Sequence, residues 1–222
     1  LNSEKVKIIT LEDPVEYQLD GINQVQVKPE IGFDFSAGLR SIVRQDPDII
    51  MLGEIRDKET ARIAMQSAIT GHLVFSTVHT NDAASAYTRL LDLGVEEFLL
   101  NAALVAIVAQ RLVRTLCEEC SIPVDSHTLA DLTSKYPLQS IADDYNHGQV
   151  NIHGPVGCEA CGHNGYKGRK AVVEYLACDE HIRSIPKDNN FIDTVKAYSA
   201  EQKNRTMFED GLLKVIQGMT TI

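Results

Sequence analysis

The chain holds 222 residues, 44% hydrophobic and 23% charged, with a net charge of −10 at pH 7. That length and apolar content can bury one large core or a core with an appendage, and the acidic balance excludes a broad nucleic-acid-binding face. The longest unbroken apolar run, Ala102 to Ala109, is eight residues, far short of the roughly 20 a membrane span needs. Any membrane role then goes through a partner.

In chain order, Val6 to Thr10 reads as a strand running into Leu11-Glu-Asp-Pro-Val-Glu16. Pro14 has no amide hydrogen and stops ladder pairing, so Glu12, Asp13 and Glu16 cluster at a strand end. Ile22 to Val27 is a second strand. Phe33 to Arg44 has helical spacing, with Arg40 and Arg44 four apart on one face. Ile49-Ile-Met-Leu52 is short and wholly apolar, which suits a strand buried on both faces of a parallel sheet. Glu54, Arg56 and Asp57 follow at its carboxyl end. Asp57 suits the N-cap of a helix from Lys58 to Thr70 that ends at Gly71. Leu73 to Val78 reads as another buried strand, bracketed by His72 and His79. A helix capped by Asn81 or Asp82 runs to Leu93, and Glu96 to Leu116 reads as one long helical region. Strands alternating with helices predict an α/β fold with a mainly parallel sheet.

Past Leu116 the character changes. Cys117-Glu-Glu-Cys120 and Cys158-Glu-Ala-Cys161 flank 37 polar, mostly irregular residues with a short helix near Thr128 to Tyr136. Ala171 to Leu176 returns to a strand pattern, and Phe191 to Ser199 and Glu209 to Gln217 are helical. The segments predicted are 1–116 for the α/β core, 117–165 for the tetracysteine element and 166–222 for a mostly helical subdomain.

Two C-x-x-C pairs supply four thiolates, the donor set of a closed tetrahedral Cys₄ zinc site with a structural role. A reversible disulfide or an iron–sulfur cluster is the alternative. Cys178 is left over as a small buried hydrophobe. Acids at two neighbouring strand ends fit the crevice where open α/β sheets bind ligands. They could divide the tasks of holding magnesium and orienting water in phosphoryl transfer. His72 and His79 flank one strand and would lie about 20 Å apart if it is fully extended. His79 is therefore the better candidate for sensing phosphate, and His72 is structural or at a subunit boundary. Two arginines on one helix face suit neutralising transition-state charge in a neighbouring subunit.

With those residues laid out, the chain resembles the secretion ATPase superfamily of bacterial type II secretion and type IV pilus assembly. Ile9 to Glu16 looks like that family's Asp box, Asp46 to Asp57 like its Walker B region, and Thr70 to Asp82 like its His box. Gln110 to Arg114, the tetracysteine element and Thr206 to Met219 also match. The resemblance implies a RecA-like P-loop NTPase core acting on ATP with Mg2+. Glu16 would activate the attacking water, and Glu54 would act in magnesium and water coordination. Asp13 would support the acidic site, and His72 and His79 would couple nucleotide state to conformation. Arg40 and Arg44 would stabilise charge, and Cys117, Cys120, Cys158 and Cys161 would hold structural Zn2+. It further implies a cytoplasmic homo-hexamer, peripheral to the inner membrane, working with a platform protein and a cytoplasmic assembly protein.

One departure is large. A phosphate loop, G-x-x-x-x-G-K-S/T, occurs nowhere in the 222 residues; in this family it lies shortly before the point matching Leu1. The fragment alone is expected to be inactive. Two other readings are a non-enzymatic zinc-bearing interaction module and a pilus-retraction ATPase, though retraction motors usually lack the tetracysteine element. A zinc-ribbon nucleic-acid binder is disfavoured by the acidic charge.

Overall fold

The computed structural model describes residues 1–222. In chain order the elements are β1 (Ile8–Glu12), β2 (Asn23–Gln26), α1 (Phe35–Ile42), β3 (Ile49–Leu52), α2 (Lys58–Ile69), β4 (Leu73–Ser76), α3 (Ala83–Asp92) and α4 (Glu97–Ala103). Then come β5 (Ala106–Leu116), β6 (Ile122–Pro123), α5 (Ser126–Lys135), α6 (Leu138–Tyr145), β7 (His153–Gly154), β8 (Tyr166–Ala177), α7 (Glu180–Ser184), α8 (Phe191–Glu201) and α9 (Met207–Ile216). They form two compact units, each drawn from two stretches: Leu1–Ile107 with Ala177–Val195, and Val108–Leu176 with Lys196–Ile222.

The first unit is built on a parallel sheet in the order β2-β1-β3-β4. Parallel strands leave helices to cover the faces, and the inner strands are accordingly apolar: Leu11, Ile50 and Leu52 are fully buried. Helix α1 lies close on β1; a Cβ at Gly38 would sit 2.8 Å from the Leu11 side chain, which explains why that helical position has no side chain. Four helices of this unit begin with an aspartate whose carboxylate accepts a backbone amide: Asp34 from Ala37, Asp57 from Thr60 and Asp82 from Ser85, each at 2.8 Å, and Asp179 from Ile182 at 2.9 Å. Each such cap contributes about 1 kcal/mol. Tyr87 is fully buried, and its ring lies 5.2 Å from that of Phe191.

The second unit holds the cysteines. The segment between the two cysteine pairs folds into α5 and α6, and its ends pair antiparallel as β6 and β7. Leu138, Ile141 and Ala142 of α6 pack with Ile152 against Leu212, Leu213, Val215 and Ile216 of α9. The excursion thus shares an apolar core with α9 and is more than a loop closed by the cysteines.

Three expectations are corrected. Glu96–Leu116 is not one helix: α4 stops, Leu104 turns extended at φ −72 and ψ 124, and β5 takes over. The cause is pairing with β8, whose far end lies some 60 residues downstream; Cys117 N–H donates to Gly165 O and Cys178 N–H to Val105 O, both at 2.9 Å. The 37-residue excursion carries two helices instead of one, because the apolar face of α6 finds α9. Finally, β4 is not buried: Leu73 and Phe75 are each 44% exposed, since β4 is the edge of the sheet and has only β3 beside it.

Candidate functional site

Because β1 and β3 are parallel neighbours, with Leu11 opposite Leu52, their carboxyl ends share one rim. Gly53 N–H still donates to Leu11 O at 2.8 Å, which keeps the two chains together for one residue past the ladder. Beyond that point Asp13 and Glu54 emerge side by side. The Arg56 guanidinium joins them, 2.5 Å from Glu54 Oε1 and 3.8 Å from Asp13 Oδ2. His79, three residues past β4, brings Nε2 to 3.4 Å from Glu54 Oε2. Thr77 Oγ1 donates to Gly53 O at 2.6 Å and Ile55 N–H donates to Thr77 O at 2.9 Å, clamping the β3 and β4 exits together.

Glu54 is the least exposed member of this cluster, its side chain 16% accessible against 36% for Asp13 and 89% for His79. The hydrogen bond from Arg56 and then its charge hold the Glu54 carboxyl below the usual carboxylate range, against the opposing pull of burial; His79 adds to the lowering. A carboxylate kept ionised, half-sheltered and flanked by a cation and an imidazole has the character of a cation or water ligand.

Glu12 turns the other way, accepting from Thr10 Oγ1 and from Gln24 Nε2 at 3.0 Å. Glu16 is exposed on the segment leaving the same rim, which is anchored where Val15 N–H donates to Gln26 Oε1 at 3.4 Å. Glu16 touches neither Glu54 nor Arg56. His72 lies at the opposite end of β4, its Nδ1 2.9 Å from Ser67 O at the end of α2. Arg40 pairs with Glu59 across the α1–α2 groove. That groove, about 820 Å³, is also lined by Arg44, Lys58 and Arg62. Asp13, Glu54 and His79 are therefore brought together, while His72, Arg40 and Arg44 lie apart from them. Arg56 is the member of this cluster that sequence reasoning left without a role. Its signal was its place two residues after Glu54, and only the β1–β3 pairing shows that it also reaches Asp13.

In the second unit the four cysteine sulfurs lie within 4.8 Å of one another. Three pairs, Cys117–Cys158, Cys120–Cys161 and Cys158–Cys161, are each separated by 3.9 Å. A tetrahedral zinc with Zn–S bonds of about 2.3 Å needs sulfurs about 3.8 Å apart, so the donor set fits. Backbone amides converge on these sulfurs as they do on thiolates: Gly157 N–H on Cys120 at 3.3 Å, and Cys158 and Gly165 N–H on Cys161 at 3.2 and 3.3 Å. The Cys158 amide, and then that of Gly165, pushes the Cys161 thiol down to about 6. Desolvation pushes Cys120 up to about 11. Cys178 stands apart and buried, its thiol likewise pushed up to about 11 by burial.

A family model described as "Type II/IV secretion system protein" matches residues 1–222. The "Type II secretion system protein E" of Xanthomonas campestris pv. campestris is 48% identical over 222 residues, covering all of this chain and 38% of that protein. The "Type IV pilus assembly ATPase PilB" of Thermus thermophilus is 47% identical over 216 residues, covering 96% of this chain and 23% of that protein. The chain thus spans well under half the length of the curated relatives it matches. Among solved structures, the pilus retraction motor PilT with bound ADP superposes with a TM-score of 0.62 at 27% identity, covering 98% of this chain and 50% of that one. The Legionella pneumophila ATPase DotB shares the fold, with a TM-score of 0.64 over all of this chain and half of that one, at 23% identity.

Proposed function

Since the chain belongs to the Type II/IV secretion system protein family, we propose that it forms part of an ATP-hydrolysing motor for type II secretion or type IV pilus assembly. The observation that carries the proposal is the convergence of Asp13, Glu54, Arg56 and His79 at the carboxyl rim of adjacent parallel strands. Magnesium, bound with the triphosphate, neutralises charge on the transferring phosphoryl group. Glu54 would hold it in this chain, with Arg56 keeping the carboxylate ionised and in place. Asp13 supports the same acidic site. Glu16, exposed and unpaired on a segment leaving this rim, is free to orient and deprotonate the attacking water. His79, in contact with Glu54, reads whether the site is filled. His72 acts from the far end of β4, through its contact with α2. Arg40 and Arg44 serve a nucleotide held by a neighbouring subunit, as members of a homo-hexamer.

The four cysteines hold zinc as a closed structural site at the base of the excursion. No helix is long and apolar enough to cross a membrane; docking on an inner-membrane platform protein and a cytoplasmic assembly protein would place the motor at the cytoplasmic face. Identities of 48% and 47% to secretion and pilus-assembly proteins, against 27% to the retraction motor, favour assembly or secretion over retraction. The test is ATP turnover by the full-length protein. Glu54→Gln should lower kcat about 100-fold or more, with metal content and fold unchanged, and retention of most of the activity would refute the assignment.

A further inference from the structure

The segment that carries Glu16 is fastened by one strand, β2. Strands β1 and β2 are parallel, with Thr10 opposite Gln24 and Glu12 opposite Gln26, so alternation turns these four side chains to one face. From that face the Gln24 amide uses both its N–H groups and its carbonyl. Nε2 donates to Glu12 Oε1 at 3.0 Å and to Tyr17 O at 2.9 Å, and Oε1 accepts from Leu19 N–H at 2.7 Å. Two acceptors at one end and a donor at the other admit a single orientation of the amide. Glu12, which itself accepts from Thr10 Oγ1 at 2.5 Å, helps to fix that orientation. Beside it, Gln26 Oε1 accepts from Val15 N–H at 3.4 Å. The anchors therefore fall on Val15, Tyr17 and Leu19, on both sides of Glu16, which is exposed.

A glutamate on an exposed loop samples many positions, and a misplacement of about 1 Å costs a reaction on the order of 100-fold in rate. Fixing the backbone on either side removes much of that freedom before substrate arrives. We infer that Gln24 is a positioning residue for the proposed hydrolysis. Its amide holds the backbone around Glu16 so that the carboxylate meets the attacking water, and Glu12 keeps the amide turned toward that backbone. The inference rests on the assignment of Glu16 made above and adds the residues that place it.

Single-turnover ATP hydrolysis by the full-length protein is the test. Gln24→Met keeps the length of the side chain and removes its three hydrogen bonds. It should lower the rate at saturating ATP about tenfold or more. The ATP concentration giving half that rate should stay within about twofold of the wild type, since ground-state binding is untouched. In a Glu16→Gln background the same change should cost nothing further, because residues acting through one another are not additive. Asn2→Ala removes a different anchor of this loop, the 2.9 Å bond from Asn2 Nδ2 to Asp20 O, and should leave the rate unchanged. An unchanged rate in Gln24→Met, where Glu16→Gln is inactive, overturns the inference and leaves the Glu16 assignment standing. Full activity of Glu16→Gln overturns both. A loss that persists in the Glu16→Gln background, or that Asn2→Ala matches, shows a role in loop order alone and overturns the inference as well. Should Gln24→Met fail to fold, judged by circular dichroism, Gln24→Glu decides by the same comparisons, since it keeps the acceptor for Leu19 and loses both donations.

Discussion

Replacing Asp210 by alanine would test how β8, α9 and α6 are held together. Asp210 is 2% exposed, in the first turn of α9. Its Oδ2 accepts the Val173 amide of β8 at 2.8 Å and the Lys214 ammonium, and its Oδ1 faces Arg205 at 3.6 Å. Arg205 in turn stacks on Tyr145 of α6, 4.7 Å from the ring. Removing the carboxylate orphans the Val173 N–H, a cost of about 1–3 kcal/mol. It also leaves Lys214, only 15% exposed, without its counter-ion. Breaking a buried pair from one side costs about 3–5 kcal/mol in all. The expected result is a loss of that size in urea denaturation followed by circular dichroism, with the slope unchanged. Asp210→Ala together with Lys214→Met should recover part of it, since the uncompensated charge goes. A loss under about 1 kcal/mol would show that solvent satisfies Val173 and Lys214, and the network would then not be what joins these elements.

Other measurements probe the two candidate sites. Metal analysis of the purified protein should find one zinc per chain, and Cys161→Ser should release it; two irons per chain would refute the zinc assignment. Arg56→Gln should raise the Glu54 carboxyl, read by side-chain NMR titration. In the wild type that depressed carboxyl contributes stability present above its ordinary value of 4.5 and lost as pH falls through the folded-state value. The variant should therefore lose less stability than the wild type on acidification below about pH 4.5. Leu138→Ala, at a fully buried position of α6, should cost about 2–5 kcal/mol with zinc still bound, which separates the excursion's apolar core from its metal. The 222 residues alone, with no phosphate-loop sequence among them, should show no ATP turnover in a phosphate-release assay.

Much of the first unit was legible because its signals are local. Asp57 and Asp82 announce helix starts by a bond three residues away, and Ile49 to Leu52 is apolar in a stretch too short for anything but an inner strand. The cysteine spacing was legible because a tetrahedral metal site admits few donor sets. The run from Glu96 to Leu116 was misread for the opposite reason. Its apolar residues satisfy a helix period nearly as well as a strand period, and the partner that decides between them, β8, lies too far along the chain for any local window. Helix α6 was missed because its apolar face is short and becomes meaningful only against α9.

From the sequence alone came the residue types able to bind metal and phosphate, the helix caps and the strands too apolar to face water. These depend on chemistry within a few bonds of each residue. Tertiary structure decided which of the candidates meet. It set Asp13 beside Glu54 through Arg56, left His72 and the Arg40–Arg44 groove away from that rim, and turned half of a supposed helix into strand β5. Such meetings follow from strand pairing and burial between distant stretches, whose energies belong to the pair and are absent from either stretch by itself.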